Sequence, residues 1–289
     1  MPPGPPSLSI DDPELLARFE EFLRTPGLSG VSNPKTIHNY LTVVKELVIY
    51  ARGREITPEL VRDFILDRYG QRSPKTIKNV KCALIKFLRD FLGRADLVSL
   101  IPIKASDERP ERETPCPKDE DLRKFIMAAK SKRDRALIIF MASTGLRLSE
   151  VAEIRLKHLD LKERCVRFHS FRKKKNTGVI IFSHEAKRAL EDYLAEAKTL
   201  GPDDRLFGLT AKGIARVFER LSKRAGVKIT PQMLRVWHSV KLRERGVDST
   251  FVNILEGRAD PAVITNYYTP KNLALLREIY DKADLRVLS

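Results

Sequence analysis

The stretch Ser143-Thr144-Gly145-Leu146-Arg147-Leu148-Ser149-Glu150 is predicted to join two helices. A buried helix over residues 135–142 runs into it, and an amphipathic helix begins within it. Gly145 can take the positive φ that ends the first helix. Arg147 then lies at the start of the second helix, where unpaired backbone N–H groups and the positive end of the helix dipole favour an anion. Its planar guanidinium can hold two phosphate oxygens at once, although an ordinary surface arginine also fits this position.

Four further segments follow in order. They are 171–178 (Phe-Arg-Lys-Lys-Lys-Asn-Thr-Gly), 230–238 (Thr-Pro-Gln-Met-Leu-Arg-Val-Trp-His), 255–258 (Leu-Glu-Gly-Arg) and 266–270 (Asn-Tyr-Tyr-Thr-Pro). With the Arg147 segment they resemble the tyrosine site-specific recombinases, the integrase and Xer family. That family's pattern is T-G-x-R-x-x-E, a lysine in a β-hairpin, H-x-L-R-H, L-G-H and Y-T-H. The resemblance runs from about residue 117 to the end. It looks closest to integrases of archaeal viruses and plasmids, in which an arginine also follows the glycine, as Arg258 does here.

The composition predicts a partner with many negative charges. The chain has 289 residues, with 54 Lys and Arg against 38 Asp and Glu, and a formal net charge of +16. Nucleic acid fits this charge better than an anionic membrane, because the sequence has no long basic amphipathic stretch or lipidation signal. The proline-rich start lacks the features of a signal peptide, and the longest apolar run, residues 136–142, is too short to span a bilayer. Three dispersed cysteines favour neither a disulfide framework nor a zinc site. The sequence therefore predicts a soluble, cytoplasmic and nucleoid-associated protein without a metal.

The chain is predicted to be mainly α-helical with a small β-sheet, in two domains. Residues 105–117 are charged, contain prolines and lack apolar periodicity, which is typical of a linker. Before the linker, residues 10–104 contain only helical patterns, at 12–23, 33–51, 57–69 and 73–92. The resemblance implies that 10–104 form a SAM-like, core-binding DNA domain and that 118–289 form the α+β catalytic domain.

Two helices of the first domain begin with nearly the same phrase, Asn-Pro-Lys-Thr-Ile at Asn33 and Ser-Pro-Lys-Thr-Ile at Ser73. Each phrase places a lysine, Lys35 or Lys75, beside a helix N-terminus. The repetition fits a duplicated phosphate clamp on DNA. It fits equally well a good capping phrase used twice, and this simpler interpretation is favoured.

The second domain is predicted to mix helices with two strands. The predicted strands cover 164–170 and 179–182, on either side of the basic turn. The predicted helices cover 119–129, 134–142, 185–197, 211–225, 231–245, 250–256 and 273–288, with a short one after Arg147 and another opening at Asp260-Pro261.

Cleavage of a phosphodiester by a protein nucleophile needs positive charge on two non-bridging oxygens, a proton donor for the leaving oxygen and a deprotonated nucleophile. Arg147 and Arg235 are the candidates for the oxygens. Arg235 lies in the apolar run Met-Leu-Arg-Val-Trp, so we expect it to have a buried partner. Glu150 is expected to orient Arg147.

The sequence departs from the family pattern at the histidine that begins H-x-L-R-H and at the histidine of L-G-H. Gln232 stands in place of the first histidine and can form hydrogen bonds but cannot shuttle a proton. Arg258 stands in place of the second histidine and can only donate. His238, one turn after Arg235, is an alternative source of an imidazole, although a lone histidine is more often structural.

The nucleophile has two adjacent candidates. Spacing from Gly257 favours Tyr267, whereas the following Thr269-Pro270 favours Tyr268, which is the residue we predict. Adjacent tyrosines on a helix point about 100° apart, so only one can face the phosphate.

In the basic turn, Lys173 matches the family's catalytic lysine best and Lys174 is the alternative. Arg172 and Lys175 are expected to contact DNA phosphates, and the whole set also fits a solvated basic loop.

The resemblance implies a recombinase that cuts DNA through a 3′-phosphotyrosyl intermediate and needs no cofactor, because the phosphotyrosine bond keeps the energy of the broken link. Its partners would be double-stranded DNA and three further copies, in a homotetramer on synapsed sites joined by exchange of C-terminal tails. The predicted role is integration of a mobile element, with Xer-type dimer resolution as the alternative. A type IB topoisomerase and a catalytically dead DNA-binding relative are the weaker hypotheses.

Overall fold

The computed structural model describes residues 14–101, 114–167, 179–197, 199–258 and 270–288. The chain divides into two compact units, Met1–Arg112 and Glu113–Ser289. Each has its own hydrophobic core. The division falls inside the segment that the sequence predicts to be a linker, and residues 114–117 of that segment are neither helix nor strand.

Among its described residues, the first unit contains helices and connecting loops but no strand. Its helices are α1 (Leu15–Arg24), α2 (Pro34–Ala51), α3 (Pro58–Tyr69) and α4 (Pro74–Ile85), which continues as a π-helical turn (Lys86–Phe91) before a short 3₁₀ helix (Ala95–Val98). The four predicted helical segments are therefore confirmed. Phe19 of α1 lies at the centre of the core, with its ring centroid 5.0 Å from that of Phe87 and 5.3 Å from that of Phe91.

The repeated phrase caps a helix at both of its occurrences. Asn33 Oδ1 accepts a hydrogen bond from the backbone N–H of Lys35 at 2.9 Å, at the start of α2. Ser73 Oγ accepts one from the backbone N–H of Thr76 at 3.2 Å, at the start of α4. Each bond satisfies a donor that the first helical turn leaves unpaired. The capping interpretation is thus correct, and the side chains of Lys35 and Lys75 are exposed.

Among its described residues, the second unit contains eight α-helices and a three-stranded antiparallel sheet. The helices are α5 (Asp119–Met127), α6 (Lys132–Thr144), α7 (Leu148–Val151), α8 (His184–Glu196), α9 (Ala211–Ala225), α10 (Pro231–Glu244), α11 (Ser249–Leu255) and α12 (Pro270–Lys282). The strands are β1 (Leu159–Asp160), β2 (Cys165–Arg167) and β3 (Val179–Ile181), in the order β1-β2-β3. The sequence did not predict β1, because two residues are too few to show an alternating pattern.

Helix α6 forms the centre of this unit. From Ala136 to Thr144 every residue is buried, and the helix packs against α8 and α10. Because no face of it is polar over this stretch, α6 shows little amphipathic periodicity. Its C-terminus is consequently held at the middle of the domain, and this is where the Arg147 segment begins.

The predicted tail helix, residues 273–288, is too long. Helix α12 ends at Lys282, and Asp284 has a φ of 44°, which no helix continues through. Beyond it, Leu285 and Val287 are buried against the core. The backbone N–H groups of Val287 and Leu288 donate to the two carboxylate oxygens of Glu185, at 2.7 and 3.0 Å. The end of the tail is therefore bound to its own domain.

In the part of the chain that the structure describes, no helix is long and apolar enough to cross a membrane.

Candidate active site

The first half of the candidate site is the turn from Gly145 to Glu150, called the Arg147 turn below. Gly145 has a φ of 60° and its N–H donates to Met141 O at 3.0 Å, which ends α6. Arg147 is the N-cap residue of α7. Glu150 Oε2 accepts the backbone N–H of Arg147 at 2.8 Å, and Glu150 Oε1 accepts its guanidinium NH1 at 3.0 Å. The Arg147 side chain is 33% exposed, whereas that of Glu150 is 9% exposed. A buried carboxylate thus orients an arginine that still reaches the surface.

Arg235 lies beneath this turn, on α10. Helix α10 begins at Pro231, where Thr230 Oγ1 accepts the backbone N–H of Met233 at 3.2 Å. Arg235 is 2% exposed. Its NH1 donates to Gly145 O and its NH2 donates to Glu256 O at 3.0 Å. The expectation that this arginine has buried partners is therefore met, and the partners are backbone carbonyls from two other elements.

The second half of the site is the turn from Glu256 to Arg258, which follows α11 and is called the Arg258 turn below. Gly257 has a φ of 63°, so the chain reverses there. The Glu256 side chain is fully buried, and its Oε2 lies 2.8 Å from Nε of Arg258. The same oxygen lies 3.5 Å from NH2 of Arg235. The Arg258 side chain is 32% exposed. A second buried carboxylate therefore holds a second arginine that is partly open to solvent.

The other oxygen of Glu256 faces His238. Glu256 Oε1 and His238 Nδ1 are 2.9 Å apart, and His238 is 1% exposed. The imidazole stacks on the ring of Tyr280, with centroids 6.5 Å apart and an interplanar angle of 29°. A Cβ added to Gly145 would lie 2.6 Å from His238 Nδ1 and 3.0 Å from Glu256 Oε1. His238 therefore lies under the arginines, closed off from solvent. Gln232, on the first turn of α10, is exposed.

The three arginines are close enough to affect each other's charge. Burial, reinforced by the positive charges of Arg147 and Arg258, lowers the pKa of the Arg235 guanidinium to about 10. The charges of Glu256 and Glu150 act in the opposite direction. Arg235 stays charged at neutral pH. Three guanidinium groups against two carboxylates leave the cluster with a net positive charge, which suits a phosphate anion.

Two groups of predicted site residues lie outside the described residues. One group is the basic turn with Arg172, Lys173, Lys174 and Lys175, and the other is the pair Tyr267 and Tyr268. The strands on either side of the basic turn, β2 and β3, pair antiparallel with Arg167 opposite Val179. Helix α12 begins at Pro270, shortly after the two tyrosines in sequence.

Two ion pairs connect α12 with the turn that leads into β2. Arg277 NH1 lies 2.9 Å from Glu163 Oε2. Arg164 NH2 lies 2.6 Å from Asp281 Oδ2, and Arg164 NH1 donates to Phe182 O at 3.1 Å. The helix that follows the tyrosines is thereby fixed to the same sheet that carries the basic turn.

Sequence reasoning missed the role of Glu256. Its segment was matched to the family pattern L-G-H, in which Glu256 occupies the place of the leucine. A carboxylate at a position where an apolar residue is expected was the available signal, since a buried charge requires partners. Among the described residues, no cluster of His, Cys, Asp and Glu has the arrangement of a metal site.

Comparison with known proteins agrees with this geometry. Residues 118–274 match the phage integrase family. The chain is 26% identical to the tyrosine recombinase XerA of Saccharolobus solfataricus over 282 residues, which cover 94% of each chain. It is also 26% identical to the tyrosine recombinase XerC of Thermodesulfovibrio yellowstonii, over 91% of this chain and 94% of that one.

Solved structures share the fold. A lambda integrase dimer bound to a COC′ core site matches 89% of this chain and 77% of its own, with a TM-score of 0.68 and 17% identity. A lambda integrase tetramer bound to a Holliday junction matches with a TM-score of 0.66 and 16% identity, over 89% of this chain and 76% of its own. The chain therefore belongs to the phage integrase family, the tyrosine site-specific recombinases, which cleave and rejoin DNA.

Proposed function

We propose that this chain cuts and rejoins duplex DNA at specific sites through a 3′-phosphotyrosyl intermediate formed by Tyr268. The observation that carries the proposal is the convergence of Arg147, Arg235 and Arg258 from three separate elements, with two of them exposed by about a third. An isolated surface arginine needs no such convergence. A cluster with a net positive charge, partly screened from water, stabilises the charge that develops on a phosphate during transfer.

Each of the three arginines would have a different role. Arg147 and Arg258 are each held through one or two nitrogen atoms by a buried carboxylate, which leaves the rest of each guanidinium to face the non-bridging oxygens. Arg235 is buried below them, where it fixes Gly145 and adds its charge to the field. The same field would favour the phenolate of Tyr268, whose ordinary pKa near 10 leaves it protonated at neutral pH.

The remaining predicted residues complete the site in this proposal. Lys173, or Lys174 in its place, would donate a proton to the leaving oxygen, and Gln232 would hydrogen-bond the phosphate from the exposed start of α10. Tyr267 would position its neighbour.

Duplex binding would rest on charge. Lys35, Lys75, Arg172 and Lys175 would contact DNA phosphates. The affinity for random duplex is then expected to fall by orders of magnitude between about 50 and 200 mM salt. An affinity that does not change with salt, measured by fluorescence anisotropy, would contradict this part of the proposal. The protein would act on nucleoid DNA in the cytoplasm.

Assembly would require the C-terminal tail to move. Relatives with this fold include a tetramer on a Holliday junction. In our proposal four copies synapse two sites, and each tail leaves its own Glu185 to bind the neighbouring copy. A chain shortened after Lys282 is then expected to cleave single sites but to fail in forming tetramers on synapsed DNA, as measured by native gel electrophoresis. Tetramers of the shortened chain would contradict tail exchange.

The proposed chemistry can be tested with a nicked suicide substrate, from which the cleaved fragment escapes so that the covalent product accumulates. We expect a protein–DNA adduct on a denaturing gel, and peptide mapping should find the DNA on Tyr268. The Tyr268→Phe variant should form no adduct, because the ring remains but the attacking oxygen is gone. Tyr267→Phe should still form it. An adduct at Tyr267 would show that spacing from Gly257 sets the register, and no adduct at all would favour a catalytically dead relative.

The biological role has two candidates. Integration of a mobile element is the first, based on the departures of segment 255–270 from the family pattern. Xer-type resolution is the second, and it is favoured by the matches with XerA and XerC proteins over more than nine-tenths of the chain. Sequencing the DNA that is covalently captured in the source cells would distinguish them. Integration predicts two different partner sites, whereas dimer resolution predicts one chromosomal site that recombines with its own copy.

A further inference from the structure

We propose that Glu256 is a positioning residue for strand cleavage, which acts by aiming Arg258 and by anchoring Arg235 and His238. This inference rests on the proposed function of the arginine cluster. Nothing in the family pattern requires a carboxylate at this position. The contacts of the Glu256 side chain support this role.

The Glu256 side chain contacts two residues of α10 as well as Arg258 in its own turn. Its carboxylate faces Arg258 at 2.8 Å, His238 at 2.9 Å and Arg235 at 3.5 Å, and it is fully buried. A buried carboxylate without partners would be strongly destabilising. Here each oxygen has a neighbouring nitrogen, Oε1 that of His238 and Oε2 those of Arg258 and Arg235.

The contact with Arg258 determines which part of that arginine is available. Nε of Arg258 forms an ion pair with Glu256 Oε2 at 2.8 Å, and a pair made through Nε leaves the two terminal NH₂ groups available for other partners. Those two groups form the fork that can bind two oxygens of one phosphate. Glu256 therefore orients the exposed arginine in the same way that Glu150 orients Arg147, from a position that the substrate does not reach.

The contact with His238 extends the effect to the other turn. Glu256 Oε1 and His238 Nδ1 are 2.9 Å apart, and this hydrogen bond holds the ring beside Gly145. Arg235 NH1 also donates to Gly145 O, at the start of the Arg147 turn. Glu256 therefore supports that turn through Arg235 and His238. The carboxylate also offsets one of three adjacent positive charges.

The substitution Glu256→Gln tests this role with little change in shape. An amide can accept with its oxygen only, so its NH₂ group must face one of the N–H donors of Arg258 or His238. We expect the single-turnover cleavage rate on a saturating suicide substrate to fall by about 100-fold, since a misplacement of about 1 Å has this effect on a catalytic group. The affinity for duplex should stay within about threefold or become tighter, because the cluster gains one net positive charge.

The matched control is Asp134→Asn. Asp134 is also a buried carboxylate that binds two arginines, with Arg133 at 3.0 Å and Arg220 at 2.5 Å. It lies on the first turn of α6, roughly 15 Å along the helix from the Arg147 turn. It should lower the melting temperature but leave the cleavage rate unchanged. If Glu256→Gln is poorly folded, Glu256→Asp keeps the charge and should show an intermediate cleavage rate.

A double-mutant cycle separates this inference from the proposed function. Arg258→Ala alone should slow cleavage strongly, and adding Glu256→Gln should then slow it by clearly less than the same change does in the original protein, because part of the effect of Glu256 passes through Arg258. If Arg258→Ala cleaves normally, the proposed role of the arginine cluster is wrong. If Arg258→Ala is slow while Glu256→Gln cleaves at the normal rate, or weakens binding and cleavage equally, Glu256 is not a positioning residue.

Discussion

The Arg147 turn and the Arg258 turn each hold a partly exposed arginine next to a buried carboxylate. They differ in how many contacts that carboxylate makes with other elements. In the Arg147 turn, arginine and glutamate are three residues apart on one short helix, and the pair forms locally. In the Arg258 turn, the glutamate precedes the arginine by two residues, and its carboxylate also binds two groups on α10. The first pair can form wherever its helix forms. The contacts of Glu256 with Arg235 and His238, in contrast, form only when α10 packs against the Arg258 turn. They therefore make the site depend on the folding of the domain.

The largest effects are expected from substitutions of Arg147 and Arg235. Both should slow cleavage, but only the second should also lower stability. Arg147→Ala should slow cleavage by about 10²- to 10³-fold, because one donor to the transition state is lost, with duplex affinity nearly unchanged. The melting temperature should also hold, since Arg147 is partly exposed and its pair is local.

Arg235→Ala should slow cleavage to a similar extent and should also lower the melting temperature. It leaves the buried carbonyls of Gly145 and Glu256 without donors, at a cost of about 1–3 kcal/mol each. The control is Arg216→Ala, which replaces an exposed arginine on α9 and should change neither quantity. Equal losses of stability in Arg147→Ala and Arg235→Ala would contradict the prediction that only Arg235 supports the fold.

An intermediate effect is expected where the two turns touch, at Gly145. Gly145→Ala places a methyl group 2.6 Å from His238 Nδ1 at a φ of 60°. The positive φ costs about 1–2 kcal/mol, and the overpacking adds about 1–3 kcal/mol.

Gly226→Ala is the matched control for this substitution, since Gly226 has a φ of 68° and no atom within 4 Å of the added Cβ. Chemical denaturation should show the larger loss for Gly145→Ala, and only that variant should lose cleavage activity. Similar losses in both would mean that His238 and Glu256 do not support the Arg147 turn.

A smaller effect is expected from His238 if it supports the cluster from below. His238→Leu leaves Glu256 Oε1 without its 2.9 Å donor, which should cost about 1–3 kcal/mol of stability. His238→Asn keeps an N–H donor and should recover much of that loss, with cleavage within about tenfold of the original rate. If His238→Asn is stable but cleaves about 100-fold or more slowly, His238 takes part in the proton transfer and the role of a buried support is wrong.

The same contrast explains what the sequence could predict. Helix α9 was predicted at 211–225 and found at these bounds, because Thr210 caps its start and Gly226 ends it. The pairing of Arg147 with Glu150 is equally local. The need of Arg235 for a partner followed from its apolar neighbours, but the identity of the partners did not.

The partners of Glu256 could not be named in advance, because His238 and Arg235 lie on α10, 18 and 21 positions away in sequence. The end of the tail helix was missed for a related reason. Leu285 and Val287 fit a helical pattern, but they are buried outside any helix, where Arg245 donates to Ala283 O and Glu185 accepts the backbone N–H of Val287. Long-range packing, and not local propensity, decided both cases.

The most direct test of the arginine cluster is to remove the charge that it is proposed to bind. A suicide substrate with a methylphosphonate at the scissile position replaces one non-bridging oxygen by a methyl group and makes that linkage neutral. On this substrate the cleavage rate of Arg147→Ala should approach that of the unchanged protein, to within about tenfold, because the charge that Arg147 stabilises is absent. If Arg147→Ala remains about 10²- to 10³-fold slower on the neutral substrate as well, Arg147 does not act on the charge of the scissile phosphate and the account of the site is wrong.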